Sequence, residues 1–278
     1  MDTSTFDTIQ CVCCTRGIEA KEALALISQA NDVLKEAGVN SRFIKMGAAL
    51  DIPTGMSLAE TLCKAATGGH LVMGAGGKRL QEEADRNKKA SAALGSVTTE
   101  AMDKCRAPVI VAKPKGIPVL DAKDFYEKRG SNADYGMTVL VAVDGSKIAQ
   151  KAFDMALRMV RSGDMVKVVH VANTDKAGIN PQREAMEIHG DSAISSQYKD
   201  LCGKAMAMLT NVDFDFEAVP LKEASIMKTI HDVAEAQMAD LIVMGSVELA
   251  KKNGALGSVC AGVAKNTLAN MLVAKNFA

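Results

Sequence analysis

Along residues 138 to 274, apolar runs alternate with stretches in which apolar positions recur every three or four residues. TVLVAV (138 to 143) is a strand-length run that stops at Asp144, Gly145 and Ser146. Ala149, Ala152, Phe153, Ala156 and Val160 then fall at helical spacing until Ser162 and Gly163. The pattern continues as strand 165 to 171, a polar loop to about 190, helix 193 to 209, strand 212 to 219, helix 224 to 238, strand 240 to 245, helix 257 to 269 and strand 270 to 274. Nearly continuous apolar strands between helices predict an α/β architecture with a parallel sheet covered on both faces. In such folds ligands bind beyond the carboxyl ends of the strands. Asp144 and Gly245 both stand at such ends.

The first part of the chain carries a similar pattern: strand 8 to 14, helix 19 to 37, strand 42 to 46, helix 57 to 67, strand 70 to 74, helix 95 to 106 and strand 108 to 112. The two parts are copies of one unit. ALGSVTTEAMDKCRAPVIVAK (93 to 113) aligns without gaps to ALGSVCAGVAKNTLANMLVAK (255 to 275), HLVMGAGG (70 to 77) to LIVMGSVE (241 to 248), and SLAETLCKAA (57 to 66) to SIMKTIHDVA (225 to 234). The expected division is a first domain over 1–114, a linker over 115–136 rich in charge, proline and glycine, and a second domain over 137–278.

Nothing in the first copy corresponds to the strand and helix at 138 to 163; the preferred alignment matches strand 42 to 46 to 212 to 219. An alternative takes strand 8 to 14 as the first strand and omits a middle unit. A sheet without its middle strand leaves backbone groups unpaired. Either the linker segment at 117 to 121 fills that place, with Asp121 where the other copy has Asp144, or the first copy has lost the strand and packs in altered form.

The VAVDGS turn at 141 to 146, the LIVMG strand end at 241 to 245 and the Gly257-Ser258-Val259 helix start resemble the universal stress protein family. The resemblance covers the whole second copy and most of the first. It implies two tandem α/β sandwich domains with parallel sheets, of the adenine-nucleotide alpha hydrolase-like kind, the first domain lacking its usual first strand and helix. It also implies pairing of the domains as a pseudo-dimer, or a homodimer, and an ATP or AMP site, with or without Mg²⁺. The family's phosphate motif runs glycine, two residues, glycine, nine residues, then glycine followed by serine or threonine.

Such a motif is physically reasonable: glycines let backbone amides approach phosphate oxygens, and a helix N-terminus presents unpaired N–H groups with partial positive charge. In the second copy the expected nucleotide-binding residues are Asp144 toward adenine or ribose, Val171 and Met244 against the base, and Gly245, Gly257, Ser258 and Val259 toward phosphate. In the first copy they are Gly74, Gly77, Gly95 and Ser96. A plainer reading stands beside this one, with the glycines serving only a tight turn and a helix start and Ser258 only a cap.

Both copies depart from the motif. Where the second glycine is expected stands Glu248, and eight residues separate it from Gly257. Unit charges ~4 Å apart repel by roughly 4 kcal/mol at an effective dielectric of ~20, and even a third of that is about tenfold in affinity. Lys251, Lys252 or Mg²⁺ would offset the repulsion. In the first copy Gly74 and Gly77 are kept, but seventeen residues precede Gly95. The excess is the charged stretch KRLQEEADRNKKA, whose Lys78 and Arg79 could reach phosphate, although such a stretch more often serves as a solvated surface.

Composition narrows the class. Lysine plus arginine and aspartate plus glutamate number 33 each, so no overall field favours nucleic acid or an anionic membrane. The start, MDTSTFDTIQ, lacks the basic and apolar pattern of a signal peptide, and no apolar run is long enough to span a bilayer; the expectation is a cytoplasmic protein. Seven cysteines, an odd number, suit reduced thiols. Cys11, Cys13 and Cys14 cannot close a tetrahedral metal site alone, and the four histidines show no metal-ligand spacing; His70 and His170 abut apolar strands, where a structural role is expected. The P-loop, the dinucleotide fingerprint, the G-x-S-x-G elbow and zinc spacings do not occur. Three functions fit these observations: a non-catalytic adenine-nucleotide-binding protein of the stress response with at most slow hydrolysis, an interaction module of the same fold that has lost its ligand, and an adenylating enzyme of a related superfamily.

Overall fold

The computed structural model describes residues 8–14, 19–36, 39–41, 44–76, 93–113, 136–172, 181–221, 225–246 and 256–275. Gly77, Lys78, Arg79, the 117–121 segment with Asp121, Glu248, Lys251 and Lys252 lie outside the described residues. The first copy is built from β1 (Ile9–Cys14), α1 (Ala20–Glu36), β2 (Ile44–Leu50), α2 (Leu58–Ala65), β3 (Leu71–Gly74), α3 (Ser96–Lys104) and β4 (Val109–Ala112). The second has β5 (Thr138–Val143), α4 (Lys147–Met159), β6 (Met165–Ala172), α5 (Pro181–Met208), β7 (Asp213–Pro220), α6 (Ile226–Ala236), β8 (Leu241–Gly245), α7 (Ser258–Asn266) and β9 (Asn270–Ala274).

Local signals explain most of these boundaries. Ser57, Ser146 and Ser225 cap α2, α4 and α6, each accepting a backbone N–H three residues on, at 3.1 to 3.2 Å. At α2 Glu60 reciprocates to the Ser57 N–H at 2.8 Å, completing a capping box. Two expectations need correction. The polar stretch before 190 is not all loop, because α5 begins at Pro181. Proline suits the first helical position, and Gly190 sits inside the helix at the modest cost of about 1 kcal/mol. Strand β2 runs on to Leu50, four residues beyond the expected end. Gly47 permits this: a Cβ there would lie 2.0 Å from Ile27 Cγ2 and 2.9 Å from the Cys11 carbonyl oxygen.

The second copy forms a sheet in the order β9-β8-β5-β6-β7, all parallel, with its first strand β5 at the centre. Both faces are covered. Val139, Val141 and Val143 pack with Phe153, Ala156 and Tyr198 under α4 and α5; Leu140 and Ala142 pack on the other face with Ile230, Val263 and Met271. In the first copy, β1 pairs with β2 and β3 with β4, both in parallel, and among the described residues no strand joins the two pairs. Removing β5 from the second copy's order would split it in the same way. The alternative alignment would instead set β1 beside β3.

Exposure follows the same difference among the described residues. Val72 on β3 is 63% exposed, whereas its counterpart Val243 on β8 is fully buried in the core beneath α4 and α5. The unit formed by β1, α1 and β2 leaves Leu24, Leu26, Val33 and Met46 exposed.

The copies join through their last strands. β4 and β9 run antiparallel, with Val109 opposite Val273, Ile110 opposite Leu272 and Val111 opposite Met271, which makes one seven-stranded sheet. In the alignment of the copies Ile110 corresponds to Leu272, Val111 to Val273 and Val109 to Met271. A pseudo-two-fold axis therefore passes between Ile110 and Leu272, an isologous joint made within one chain. The corresponding lysines that end the two copies obey it. Lys113 Nζ donates to the carbonyls of Ala264 and Thr267 at the end of α7, and Lys275 Nζ donates to the Met102 carbonyl near the end of α3. Ala264 and Met102 are themselves counterparts. Each ammonium thus serves the carboxyl end of the other copy's helix, where orphan carbonyls carry partial negative charge.

Candidate functional site

Strand β5 ends at Val143, and the chain reverses through Asp144, Gly145 and Ser146 into α4. Gly145 has φ +79°, a left-handed conformation that glycine adopts at no steric cost. The Asp144 carboxylate accepts the Ser146 N–H at 3.0 Å through Oδ1 and is exposed. Beside this turn lie the carboxyl ends of β6 and β8 and the start of α7, around a cavity of about 360 Å³. Asp144, Val171, Met244, Gly245, Gly257, Ser258 and Val259 all line it. The walls are largely apolar, with Ile148, Val169 and Ile230 adding to Val171 and Met244.

The start of α7 supplies backbone donors. Gly257 is its N-cap, and among the described residues no side chain bonds the helix's first N–H groups, unlike the serine-capped α2, α4 and α6. That end of α7 can therefore receive an anion. Ser258 is exposed beside it. Gly245 has a different reason to be glycine. A Cβ there would lie 2.9 Å from Ile148 Cγ2 and 3.1 Å from the Ile148 backbone carbon, so its small size lets the first turn of α4 close on β8.

His170, read from the sequence as structural, lines the cavity at 5% exposure. Both ring nitrogens are engaged, Nδ1 with the Val143 carbonyl at 3.1 Å and Nε2 with Asp191 at 2.8 Å. It ties α5 to the end of β5 and so steadies the cavity's wall. The pairing is hidden in the sequence because Asp191 follows Gly190 at the edge of a stretch that reads as loop. Burial pushes the Cys260 thiol, in the first turn of α7, up to about 12.

Among the described residues the first copy does not assemble the same site. Gly74 is exposed at the end of β3, Gly95 donates to the Ala75 carbonyl at 2.7 Å, and Thr98 holds the Gly74 carbonyl at 2.8 Å. Ser96 borders a shallow groove between α3 and α7 with Leu256, Ala261 and Lys265. Among the described residues nothing stands where β5, Asp144 and α4 stand in the other copy. Among the described residues a Cβ on Gly74 would find no atom nearer than 3.8 Å, since no described counterpart of Ile148 packs on it.

Among the described residues no group of three His, Cys, Asp or Glu side chains is placed to hold a metal ion. No helix among them is long and apolar enough to cross a membrane.

The family model of the universal stress protein family matches residues 137–275. Among solved structures, a putative universal stress protein from Pseudomonas aeruginosa UCBPP-PA14 is 13% identical, with a TM-score of 0.57 over 96% of this chain and 82% of that one. A protein of unknown function from Pseudomonas aeruginosa PAO1 is also 13% identical, with a TM-score of 0.56 over 96% of this chain and 82% of that one. The universal stress protein UspA from Lactobacillus plantarum is 21% identical, with a TM-score of 0.42 over 50% of this chain and 97% of that one. No curated protein matches the chain. With half of its length matched by the family model, the chain belongs to the universal stress protein family.

Proposed function

We propose that this protein binds one adenine nucleotide, ATP or AMP, in the cavity of the second copy, and that it serves the stress response through the bound state without designed chemistry. One observation carries the reading: an apolar slot, an exposed carboxylate and an uncapped helix N-terminus converge on a single cavity. A cavity of about 360 Å³ falls in the range of small-ligand sites. Val171 and Met244 would pack on adenine. Asp144, one oxygen already on the Ser146 N–H, would use the other for an amino or ribose donor. The first turn of α7 would take the phosphate, and Mg²⁺ would be held through the phosphates and water.

The titratable side chains lining the cavity support binding without turnover. His170 is engaged at both nitrogens, and Cys260 is held as the neutral thiol, which leaves Asp144 among the described residues. Hydrolysis would therefore be slow at most. Pairing of the copies would be the state that the ligand sets. The protein would work as a cytoplasmic binder, with no nucleic-acid or membrane partner.

Calorimetric titration with ATP, AMP and GTP, with and without Mg²⁺, tests the reading. The expected result is adenine-selective binding at one site per chain, weakened at least tenfold in Asp144→Ala, since a hydrogen bond to a charged group contributes about 1.5–3 kcal/mol. No heat, with a melting temperature unchanged at millimolar nucleotide, would instead support the interaction module that Glu248 and the shortened spacing favour.

A further inference from the structure

One bond across the joint has no mirror image. At the end of α3 the Asp103 carboxylate accepts the Leu256 backbone N–H at 2.7 Å through Oδ1, from the first copy to the second. Leu256 stands immediately before Gly257, the N-cap of α7, and Gly257 and Ser258 line the cavity. In the alignment of the copies Asp103 corresponds to Lys265 and Leu256 to Leu94. A lysine ammonium has donors and no acceptor, so the second copy cannot return the bond. The pseudo-two-fold relation that Lys113 and Lys275 obey is broken here.

Its own helix gives Asp103 no reason to be acidic. The residue lies in the last turn of α3, where the orphan carbonyls disfavour negative charge, and α7 carries Lys265 at the same place. The neighbouring Lys104 pairs with Glu60 at 3.0 Å and Glu100 at 2.8 Å. Burial pushes the Lys275 ammonium down, and the Asp103 charge is among the influences that oppose this, which gives the carboxylate a second partner across the joint.

We propose that Asp103 is a positioning residue for the nucleotide phosphate: by holding the Leu256 N–H it fixes how the chain enters α7 and so aims the first N–H groups of that helix. This rests on the nucleotide reading above. Asp103 does not itself line the cavity, so it acts through the backbone. The Leu256 side chain packs against the core shared by the copies, but apolar contact is non-directional and leaves the peptide plane free to turn. A charge-assisted hydrogen bond removes that freedom. On the other side the Gly257 carbonyl accepts the Ala261 N–H at 2.8 Å and closes the first turn. The orphan N–H groups of α7 lie between these two fixed points. The first copy thereby takes part in a site that its own described residues do not form.

Calorimetry of the full chain with AMP and with adenosine, in wild type, Asp103→Ala and Asp103→Asn, tests the role. Asp103→Ala should weaken AMP about tenfold and leave adenosine within about twofold, because adenosine carries no phosphate to meet α7. Asp103→Asn keeps an oxygen acceptor and removes the charge that Lys275 feels; it should recover most of the AMP affinity. Equal losses for AMP and adenosine, unchanged AMP affinity in Asp103→Ala, or Asp103→Asn as weak as Asp103→Ala would overturn the proposal and leave the nucleotide reading standing. A wild type that binds neither ligand would overturn both. Hydrogen exchange at the Leu256 amide in the nucleotide-free wild type reads the bond itself and needs no variant to fold. Slow exchange is expected, and exchange as fast as in an open loop would overturn the proposal whatever the ligands do.

Discussion

Gly245 separates packing from ligand binding, because its counterpart Gly74 occupies the same place in a copy that shows no counterpart of α4 among the described residues. In Gly245→Ala the added Cβ would lie 2.9 Å from Ile148 Cγ2, with Ile148 Cγ1 and its backbone carbon each at 3.1 Å. A side chain alone can rotate away; a backbone carbon does not. Ile148 lies in the first turn of α4, which the left-handed Gly145 and the Ser146 cap fix to β5. Overpacking of this kind costs about 1–3 kcal/mol. The restricted unfolded chain returns about 0.4–1 kcal/mol, leaving a net loss of about 1–2 kcal/mol. Gly74→Ala meets nothing within 3.8 Å among the described residues and keeps only the favourable part. Urea unfolding without nucleotide should therefore separate the two variants by about 2 kcal/mol, with Gly245→Ala the weaker. Equal midpoints would refute the packing account and leave phosphate approach as the reason for glycine at 245.

Three further outcomes are expected. Val243→Ala should cost about 2 kcal/mol or more in urea unfolding, whereas Val72→Ala should stay within about 0.5 kcal/mol of wild type, because only Val243 is buried. If the proposed nucleotide site brings phosphate near Glu248, Glu248→Gly should raise ATP affinity about tenfold in calorimetry and AMP affinity less, since AMP carries fewer phosphate charges. Burial lowers the Lys113 ammonium to about 8, so between there and its unfolded value near 10.4 the unfolded chain holds the extra proton and this group's contribution to stability rises with pH, by up to about 3 kcal/mol. The neutral amine still donates, and urea midpoints across that window should show wild type gaining on Lys113→Met as pH rises; parallel curves would contradict the shift.

Continuous apolar runs and period-3.6 patterns make most of the second copy legible, since β5, β8 and β9 are buried on both faces and its helices on one. Asp144, Val171, Met244, Gly245, Gly257, Ser258 and Val259 come from separated segments and line one cavity. Two features are not legible, for physical reasons. The antiparallel pairing of β4 with β9 leaves no local mark, because VIVA and MLVA are apolar whichever strand they border. The His170–Asp191 bond depends on α5 continuing through Gly190, where tertiary packing overrides a local breaker. The motif spacing points Gly245 toward phosphate, and the clash with Ile148 gives it a second constraint that one-dimensional spacing cannot carry.

Pairing and the cavity draw on different parts of the repeated unit, so the first copy, which shows no counterpart of β5 and α4 among the described residues, still joins its partner. The joint needs β4, β9 and the helices before them; the cavity also needs the β5 turn and α4, which the first copy does not repeat among the described residues. Helix α7 belongs to both. Its first turn borders the cavity, and its last carbonyls receive the Lys113 ammonium from the first copy. The helix spans nine residues, about 13 Å at 1.5 Å per residue. A ligand that moves α7 along its axis must carry the acceptors of Lys113 with it, and Lys113 is anchored through β4 in the first copy. The first copy therefore holds the far end of the helix whose near end faces the cavity.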